Sequence, residues 1–426
     1  MTQTSTQLEK TLGLTGAIAL ALGICLGAGL LVLTGLAYQR SGGAAIYAWL
    51  IDGAIIFPML VIMAYQGMKN PTAEGVAGIV RTAFGPAAAV AVQVLLIGTF
   101  SLGLPGISIV GGNYFAFLVD GGRNVAILAS VSILVLTGAS NFFGARLSGN
   151  IQRIFTFGLL VIIVLVAISG LFFSSHEMGS GISPVNQWQE AIPSLGVIFF
   201  AFAGWILVAS TVEEYKNPQR DYPLTIFITF AIVLGLYLLI ALATQLILPR
   251  NDSNLTTAPV AAILSAVVGV AGGKFIALIG VLIVTANLNG ATWGFSRLIM
   301  ASARTGFLPS RLSKVNPKTK VPGNAVMATT ALILIVLSLY VTHVVTLSTL
   351  LQLAGQNFFI LYFLCVVSFV KQARGIWLRS IGIVLTILYL FRVVSYQLEL
   401  VYPLVLISSG IAIFYLGNLR RGDSLT

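Results

Sequence analysis

Two short segments of the chain combine small residues in a pattern that can leave backbone groups open to a ligand. The first reads LGICLGAGLL and contains Gly27, Ala28 and Gly29, and the second reads FFAFAGWILV and contains Ala203 and Gly204. Glycine inside a helix costs about 1 kcal/mol relative to alanine, and away from water the freed N–H and C=O groups need new partners. Each segment therefore indicates either close helix packing or an interrupted helix that binds a ligand.

An interrupted helix supplies two kinds of partner for a small zwitterion. The first turn of the half-helix that follows the break offers N–H groups and a positive dipole end to a carboxylate. The unwound carbonyls accept hydrogen bonds from an ammonium group. Trp205 and Phe202 lie in the second segment, where each is either a packing aromatic or part of a ligand pocket.

A dense group of charges follows the second segment, in TVEEYKNPQRDYP. These charges are either a solvated loop or one side of a gate that pairs with basic residues elsewhere. An exposed ion pair contributes only about 0–1 kcal/mol, which suits a contact that forms and breaks. The gate candidates are Glu213, Glu214, Lys216, Arg220, Arg297 and Arg304.

Asp52 is an ionisable residue inside the apolar stretch YAWLIDGAIIFP. Such a residue is costly in a membrane and is functional by default, so Asp52 is a candidate proton carrier. The alternative is a carboxylate in an outer vestibule that contacts water or a backbone donor. His176 and His343 lie in loops without a metal-ligand pattern, and we assign neither a metal nor a cofactor.

The composition places these residues in a polytopic all-α membrane protein. Of the 426 residues, 58% are apolar and 8% are charged, whereas soluble proteins carry about 25% charged residues. The apolar runs are too long for β-strands. Amphipathic stretches at 74–84 and 258–268 are expected to lie along the interface. Twelve spans are predicted, near 13–37, 44–67, 88–118, 124–143, 150–173, 190–211, 224–248, 272–300, 325–342, 346–370, 376–396 and 399–418.

The charge distribution predicts the orientation of these spans. Most of the 23 basic residues fall on the side of the N-terminus, so both termini are expected in the cytoplasm. This asymmetry explains the net charge of +11 without a nucleic-acid partner. The oligomeric state is left open.

The two interrupted segments fall in spans 1 and 6, which lead two possible five-span halves. Interrupted helices at matching positions are the best sequence indication of a transporter site. We therefore predict one transmembrane domain over 1–426, with a first repeat at 1–173, a second at 190–370 and two additional helices at 376–418. An intramembrane enzyme is disfavoured because no histidine lies in any span, and a channel suits broken helices and gate charges less well.

Several motifs resemble those of the amino acid–polyamine–organocation transporter superfamily. TVEEYKNPQRDYP resembles the signature after its sixth span, NLNGATWGFSRLIMASARTGFLP resembles its eighth span and following loop, and GAG resembles its first-span break. The resemblance covers nearly the whole chain and implies two inverted repeats, alternating access and a substrate site at the breaks. It implies that Gly27, Ala28 and Gly29 bind the substrate carboxylate, that Phe200, Ala203 and Gly204 bind its amino group, and that Asn287 and Ala291 line the wall.

Two departures from the family pattern concern the substrate. Many members carry a glutamate where this chain has Ile206, and a serine or threonine where it has Ala28. Both changes remove polar side chains and favour a neutral, apolar amino acid. The chain looks most like bacterial exporters of methionine and branched-chain amino acids, in the cytoplasmic membrane. A proton-coupled importer or an exchanger of amino acids or amines is the alternative.

Overall fold

The structure is a computed structural model, and its described residues include most of every predicted span except the fifth. The predicted span at 150–173 lies almost entirely outside the described residues. The structure describes residues 12–69, 75–144, 164–166, 168, 181–209, 211–304, 306, 308–316, 319, 321–394 and 400–421.

Within the described residues the chain is helical, and the helices are numbered here in chain order. The α-helices are α1 Leu14–Cys25, α2 Ala28–Ser41, α3 Ala45–Lys69, α4 Gly75–Phe84, α5 Pro86–Leu118, α6 Arg123–Phe142, α7 Ile192–Ile198, α8 Gly204–Ala209, α9 Pro218–Ile247, α10 Pro259–Val268, α11 Val270–Arg304, α12 Gly323–Val341, α13 Leu347–Gln372, α14 Ile376–Val394 and α15 Val401–Arg421. Short 3₁₀ segments are Gly42–Ala44, Val185–Ala191, Phe199–Phe202, Val212–Glu214, Ser253–Thr256 and Ser310–Ser313.

The predicted fold class is confirmed. Nine helical segments among the described residues are long and apolar enough to cross a membrane, as an all-α polytopic protein requires. The two amphipathic stretches form separate short helices, α4 and α10. The total of twelve spans stays a prediction.

The two halves of the chain repeat one order of elements. An interrupted helix is followed by a long helix, then by a short helix joined to a very long one: α1/α2, α3, α4 and α5 in the first half, and α7/α8, α9, α10 and α11 in the second. The short helices have 10 residues each, and the very long helices have 33 and 35.

Each short helix meets its long partner at one glycine with the same backbone conformation. Gly85 has φ 86° and ψ −177°, and Gly269 has φ 90° and ψ 174°. This region is essentially restricted to glycine. Both glycines donate their N–H to the carbonyl four residues earlier and accept from the N–H four residues later, so the two corners are built in the same way.

The paired elements also pack together in space. Helix α5 contacts α6, α11, α13 and α15, while α9 contacts α1 and α3. Most of α5 is buried, including Gly103 and Pro105. The core therefore surrounds α5 and α11, and the two interrupted helices lie against it.

Candidate functional site

The first interruption separates α1 from α2 at Leu26 and Gly27. Leu26 is extended, with φ −86° and ψ 95°, and Leu30 donates its N–H to the carbonyl of Gly27 over 3.2 Å. Helix α2 then begins at Ala28. The N–H groups of Ala28 and Gly29, ahead of Leu30 in the first turn, have no acceptors within the helix, so this end of α2 can receive an anion. The side chain of Ala28 lies outside the described residues.

The second interruption consists of the 3₁₀ segment Phe199–Phe202 and a turn at Ala203, between α7 and α8. The carbonyl of Phe200 accepts from the N–H of Ala203 over 3.1 Å, and the carbonyl of Ala203 accepts from Ile206 over 3.3 Å. Each carbonyl oxygen has a second lone pair. The predicted contact of these carbonyls with an ammonium group stays a prediction.

Two buried tyrosines bind other carbonyls at the breaks. The Tyr237 hydroxyl lies 3.0 Å from the carbonyl oxygen of Ala201 and 3.1 Å from that of Cys25. The Tyr362 hydroxyl donates to the carbonyl of Phe202 over 2.7 Å. A hydroxyl has one hydrogen to donate, so Tyr237 is shared between the two interrupted helices and holds them together.

The two breaks touch each other through glycines. A Cβ atom on Gly204 would lie 2.9 Å from Cα of Cys25, and a Cβ on Gly29 would lie 3.1 Å from Cα of Ala201. Real Cβ atoms do not approach backbone atoms within 3.0 Å without a shift. Close packing and the open backbone, which the sequence offered as alternatives, are thus both present.

A cavity of about 490 Å³ lies at the breaks, between α5 and α11. This volume is in the range of small-molecule sites, about 300–1,000 Å³. One wall is apolar. Its side chains are Phe100, Leu104, Ile107, Ile283 and Phe358. The aromatic members pack closely, with ring centroids of Phe100 and Phe358 6.0 Å apart and those of Phe200 and Phe358 6.1 Å apart.

Most of the predicted substrate-binding residues lie around this cavity. Those that line it are Gly27, Gly29, Phe200, Ala203, Gly204, Asn287 and Ala291. Trp205 does not. It is fully buried, and its ring centroid lies 6.4 Å from that of Phe230. The reason is helical geometry, since Gly204 and Leu207 line the cavity from one face of α8 and Trp205 falls outside that face. Ile206 is also buried outside the lining.

Asn287 brings a polar side chain to the first break. A Cβ on Gly27 would lie 2.9 Å from its Nδ2, so the glycine lets the amide approach the backbone. Asn287 stands 18 residues after the corner glycine of its half, and Gly103 stands 18 residues after the other corner. A Cβ on Gly103 would lie 3.0 Å from Cε2 of Phe200. At both places the first half thus contributes a glycine, Gly27 or Gly103, and the second half contributes the side chain that faces it, Asn287 or Phe200.

At one end the cavity extends to Thr211 and Glu214, beyond α8. This end, called the basic face here, carries the loops rich in lysine and arginine. Leu12 forms an isolated parallel bridge with Tyr215: its N–H donates to Glu214 over 3.0 Å, and its carbonyl accepts from Lys216 over 2.9 Å. Burial raises the pKa of the Tyr215 hydroxyl, which therefore stays neutral. Through the backbone bridge of Leu12, the residues just before α1 are held next to the charged residues Glu214 and Lys216.

The remaining gate candidates stand near this face. Lys216, Arg220 and Arg304 are exposed, and the side chain of Glu213 lies outside the described residues. Arg297 stacks on Trp293, with its guanidinium carbon 4.3 Å from the ring centroid, and donates to Ser296 over 3.0 Å. The predicted pairing of Arg297 and Arg304 with the cluster stays a prediction.

The opposite face is closed by Arg40, at the end of α2. Its guanidinium donates to the carbonyl of Pro193 over 3.0 Å, to Oγ of Ser348 over 2.6 Å and to Oε1 of Gln352 over 3.0 Å. These contacts join α2 to α7 and α13. The hydroxyls of Ser41 and Ser194 lie 2.6 Å apart directly beside them. We call the set of Arg40, Pro193, Ser348 and Gln352 the Arg40 clamp.

Asp52 lies outside the cavity lining, in α3. Its side chain is fully buried, and among the described residues neither carboxylate oxygen has a hydrogen-bond partner. The Arg392 guanidinium of α14 interacts with it electrostatically. One turn earlier, Trp49 packs on Tyr237 with ring centroids 4.8 Å apart. Asp52 is thus connected to the breaks through Trp49 and Tyr237.

Sequence reasoning missed Tyr237, Tyr362 and Arg40. The hydroxyls of the tyrosines bind carbonyls 36 and 160 residues away. The only sequence signal for the tyrosines is a hydroxyl within a long apolar run, since a buried tyrosine needs a hydrogen-bond partner. That signal does not say which carbonyl the hydroxyl will reach.

Comparison with known proteins places these features in a family. The family model described as "Amino acid permease" matches residues 12–416. The uncharacterized amino acid permease YecA of Bacillus subtilis is 24% identical over 412 residues, covering 95% of each chain. The serine/threonine exchanger SteT of the same organism is 25% identical and covers 86% of this chain and 85% of its own.

A third relative is the L-methionine/branched-chain amino acid exporter YjeH of Escherichia coli, which is 26% identical. The match covers 91% of this chain and 92% of the exporter's length. Several cationic amino acid transporters of Arabidopsis thaliana also match, at 26–27% identity, although the matches cover only 54–58% of their length. The substrates in the names of these relatives differ at similar identity, so identity alone does not select a substrate.

Proposed function

The chain belongs to the amino acid permease family, and from that premise we propose that it carries neutral, apolar amino acids through the cavity at its two breaks. Membership makes the chain a multi-pass membrane transporter of amino acids and not an enzyme. The substrate class, the direction and the mechanism are the parts proposed here.

The apolar wall of the cavity is the observation that carries the proposal. Phe100, Leu104, Ile107, Ile283 and Phe358 form this wall, and among the described lining residues the one acid is Glu214, at the mouth. A cationic side chain would lose its hydration at this wall without a counter-charge. An aliphatic side chain would gain about 0.8 kcal/mol for each buried methylene.

The two breaks would bind the carboxylate and the ammonium group, which all amino acid substrates have in common. In this arrangement the substrate carboxylate lies at the start of α2, where Gly27 and Gly29 leave the N–H groups accessible. The ammonium group lies at the carbonyls of Phe200 and Ala203. Asn287 orients the carboxylate from the side, and the substrate side chain extends toward Phe358. Binding by backbone groups fits a carrier that accepts several related side chains.

Alternating access would operate on the two repeats at 1–173 and 190–370. The shared order of elements and the matching corners at Gly85 and Gly269 support an inverted pair. The cavity reaches the basic face while the Arg40 clamp joins the other end, as expected for a state open to the cytoplasm. We propose efflux from a bacterial cytoplasmic membrane, in line with the exporter among the relatives.

Counterflow in proteoliposomes tests the substrate class. Vesicles are loaded with unlabelled leucine, methionine, serine, lysine or putrescine, and uptake of labelled leucine is followed. Leucine and methionine inside should drive rapid exchange, and lysine and putrescine should drive little. Exchange with lysine or putrescine but not with methionine would refute the proposal of a neutral, apolar substrate.

A matched variant pair tests the cavity wall. Ile107→Asp introduces a carboxylate into the apolar wall, whereas Ile107→Leu keeps its character. Ile107→Asp should lose leucine exchange by at least about tenfold, since burying a charge next to an aliphatic side chain costs more than about 1.4 kcal/mol. Ile107→Leu should retain exchange. Unchanged leucine exchange in Ile107→Asp would move the substrate side chain away from this wall.

Proton coupling is the second candidate mechanism, and it is favoured by the burial of Asp52 without a hydrogen-bond partner among the residues that the structure describes. A carboxylate on a moving helix can carry a proton between the two faces. The same cavity would then serve an importer or an exchanger, because direction follows the gradients.

A further inference from the structure

The ends of α3 and α13 and the start of α14 come together beside the short amphipathic helix α4, at the basic face. The rings of Tyr65 and Phe369 join α3 to α13, with centroids 5.6 Å apart in an edge-to-face contact. The side-chain amide of Gln372 donates to the carbonyl of Ile79 over 3.2 Å, which joins the end of α13 to α4. Helix α14 begins shortly afterwards, at Ile376.

Basic side chains are concentrated where these helices meet. We call four exposed residues the basic corner: Lys69, Lys371, Arg374 and Arg379. Aromatic rings hold its two lysines. The Nζ of Lys69 lies 4.4 Å from the ring centroid of Tyr65, and the Nζ of Lys371 lies 4.8 Å from that of Phe84. These cations are therefore positioned by the protein and still accessible from outside it.

The positive charge here exceeds what the same segments of the chain can neutralise. Residues 65–84 and 369–379 contain five basic residues and one acidic residue, Glu74, a net charge of +4. Arg379 also lies in the first turn of α14, where a cation is unfavourable because this end of the helix dipole is positive. The stability of α14 thus does not explain this charge, and an anion from outside the chain would offset it.

Large apolar side chains are exposed directly beside these cations. Ile376 and Trp377, in the first turn of α14, are 79% and 81% exposed, and Phe84 at the end of α4 is 41% exposed. Tryptophan at the end of a membrane span is typical of the level of the lipid headgroups, and an amphipathic helix lies in the same plane. Cations and apolar side chains therefore adjoin at the depth where a phospholipid has its phosphate and the first part of its acyl chains.

We propose that the basic corner binds the headgroup of an anionic phospholipid in the leaflet at the basic face, with Lys371 and Arg374 at the phosphate and Trp377 against the acyl chains. Basic residues next to the ends of membrane spans attract anionic lipids. A lipid fits better than a free phosphate, because it also covers the exposed Ile376 and Trp377. The proposal does not depend on the transported substrate.

Binding of phosphatidylglycerol with a fluorescent tag on one acyl chain tests the site, with the purified full-length protein in a nonionic detergent. Phosphatidylcholine with the same tag measures binding by the acyl chains alone. Phosphatidylglycerol should bind about tenfold or more tightly than phosphatidylcholine, and added salt should reduce the difference because it screens exposed charges. Equal binding of the two lipids would overturn the proposal.

A matched pair of double variants locates the site. Lys371→Gln/Arg374→Gln removes one lysine and one arginine from the basic corner. Arg311→Gln/Lys314→Gln removes the same two residue types from the loop between α11 and α12, where both are exposed. All four side chains lie at the surface, so both variants should fold.

The two double variants should differ in their affinity for phosphatidylglycerol. Each cation near an anionic lipid contributes about fivefold to binding, so the change at the basic corner should weaken binding by about 25-fold. The change in the loop should leave binding as in the wild type. Wild-type binding by Lys371→Gln/Arg374→Gln would place the lipid elsewhere, and an equal loss in both variants would reduce the effect to net charge. Either result would overturn the proposal.

Competition separates a lipid from a smaller anion. Inorganic phosphate and glycerol 3-phosphate carry the charge without acyl chains, so they should displace the tagged lipid only at concentrations about a hundredfold or more above that of untagged phosphatidylglycerol. Displacement at similar concentrations would indicate a site for free phosphate and refute the lipid assignment. Lipid binding is measured without transport, so this result and the result for leucine exchange are independent.

Discussion

The Tyr237 hydroxyl lies within hydrogen-bond distance of the backbone of both interrupted helices. It lies within 3.1 Å of the carbonyl of Cys25 and 3.0 Å of that of Ala201. Its ring also packs on Trp49 and, edge-to-face, on Phe202. A shared donor of this kind fixes the distance between the two breaks, and that distance sets where the carboxylate and the ammonium of a substrate can bind.

Tyr237→Phe should therefore reduce transport more than it reduces stability. The change leaves two buried carbonyls without this donor, which costs about 1–3 kcal/mol, and it lets the breaks shift. We expect leucine counterflow to fall by about tenfold or more. Tyr114→Phe is the control, because the Tyr114 hydroxyl donates to the carbonyl of Leu31, past the break. Equal transport loss in both variants would contradict a special role for Tyr237.

The second prediction for a single residue concerns Asp52 and proton coupling. Asn keeps the shape of the side chain but cannot take up a proton. If Asp52 couples transport to protons, Asp52→Asn should keep leucine exchange without a gradient and lose accumulation driven by a pH gradient. Asp120→Asn, which removes an exposed carboxylate paired with Lys274, should keep both. Retained pH-driven accumulation in Asp52→Asn would exclude Asp52 as the carrier.

Individual residues were predictable from sequence only where the signal is local. The clusters of small residues located both breaks, and the family motif located Asn287. Trp205 was misplaced because its position along the helix, and not its closeness to Gly204, decides which face it occupies. The partners of Tyr237 and Tyr362 are set by packing between helices far apart in sequence, so no local pattern identifies them.

The matching corners at Gly85 and Gly269 are the clearest structural feature at the level of elements. Both connect a short amphipathic helix to a very long one, and both lie in the region that side chains avoid. The sequence predicted the short helices from their amphipathic pattern. It did not predict the corners, because glycine is frequent throughout this chain, with 44 copies, and composition does not say which copies need a positive φ.

Gly85→Ala and Gly269→Ala should destabilise the protein by similar amounts. A Cβ at either position would meet nothing within 4 Å, so the cost is backbone strain alone, about 1–3 kcal/mol for each. Thermal unfolding in detergent measures it. Gly235→Ala is the control, since Gly235 also has open space around it but lies within α9, where alanine should be neutral or stabilising. A neutral result at one corner only would contradict their equivalence.

At the scale of the whole molecule, the two faces differ in how they are held. The basic face has the backbone bridge between Leu12 and Tyr215 and a cavity that reaches Glu214. The opposite face has the Arg40 clamp between α2, α7 and α13. The sequence predicted a gate only at the basic face, where charges are dense. The clamp pairs one arginine with neutral groups more than 150 residues away, which a search for opposite charges does not detect.

Breaking the clamp should open the cavity to the outside, and the chain carries its own reporter. Cys25 lines the cavity, and Cys365 is fully buried. In a Cys365→Ala background, a membrane-impermeant thiol reagent applied outside should label Cys25 slowly. Arg40→Ala should speed labelling by about tenfold or more, because hydrogen bonds of a charged donor contribute about 1.5–3 kcal/mol and this shifts the population between states.

The control for this labelling experiment is Arg123→Ala. Arg123 is also an arginine of the opposite face, and it donates to the carbonyl of Tyr340 and contacts His343, away from α2 and α7. Its removal should leave labelling of Cys25 unchanged, and an excess of leucine should slow labelling in Arg40→Ala by occupying the cavity. If Arg40→Ala labels no faster than Arg123→Ala, the clamp does not hold the outer side closed, and closure must come from the packing of α2 against α7 alone.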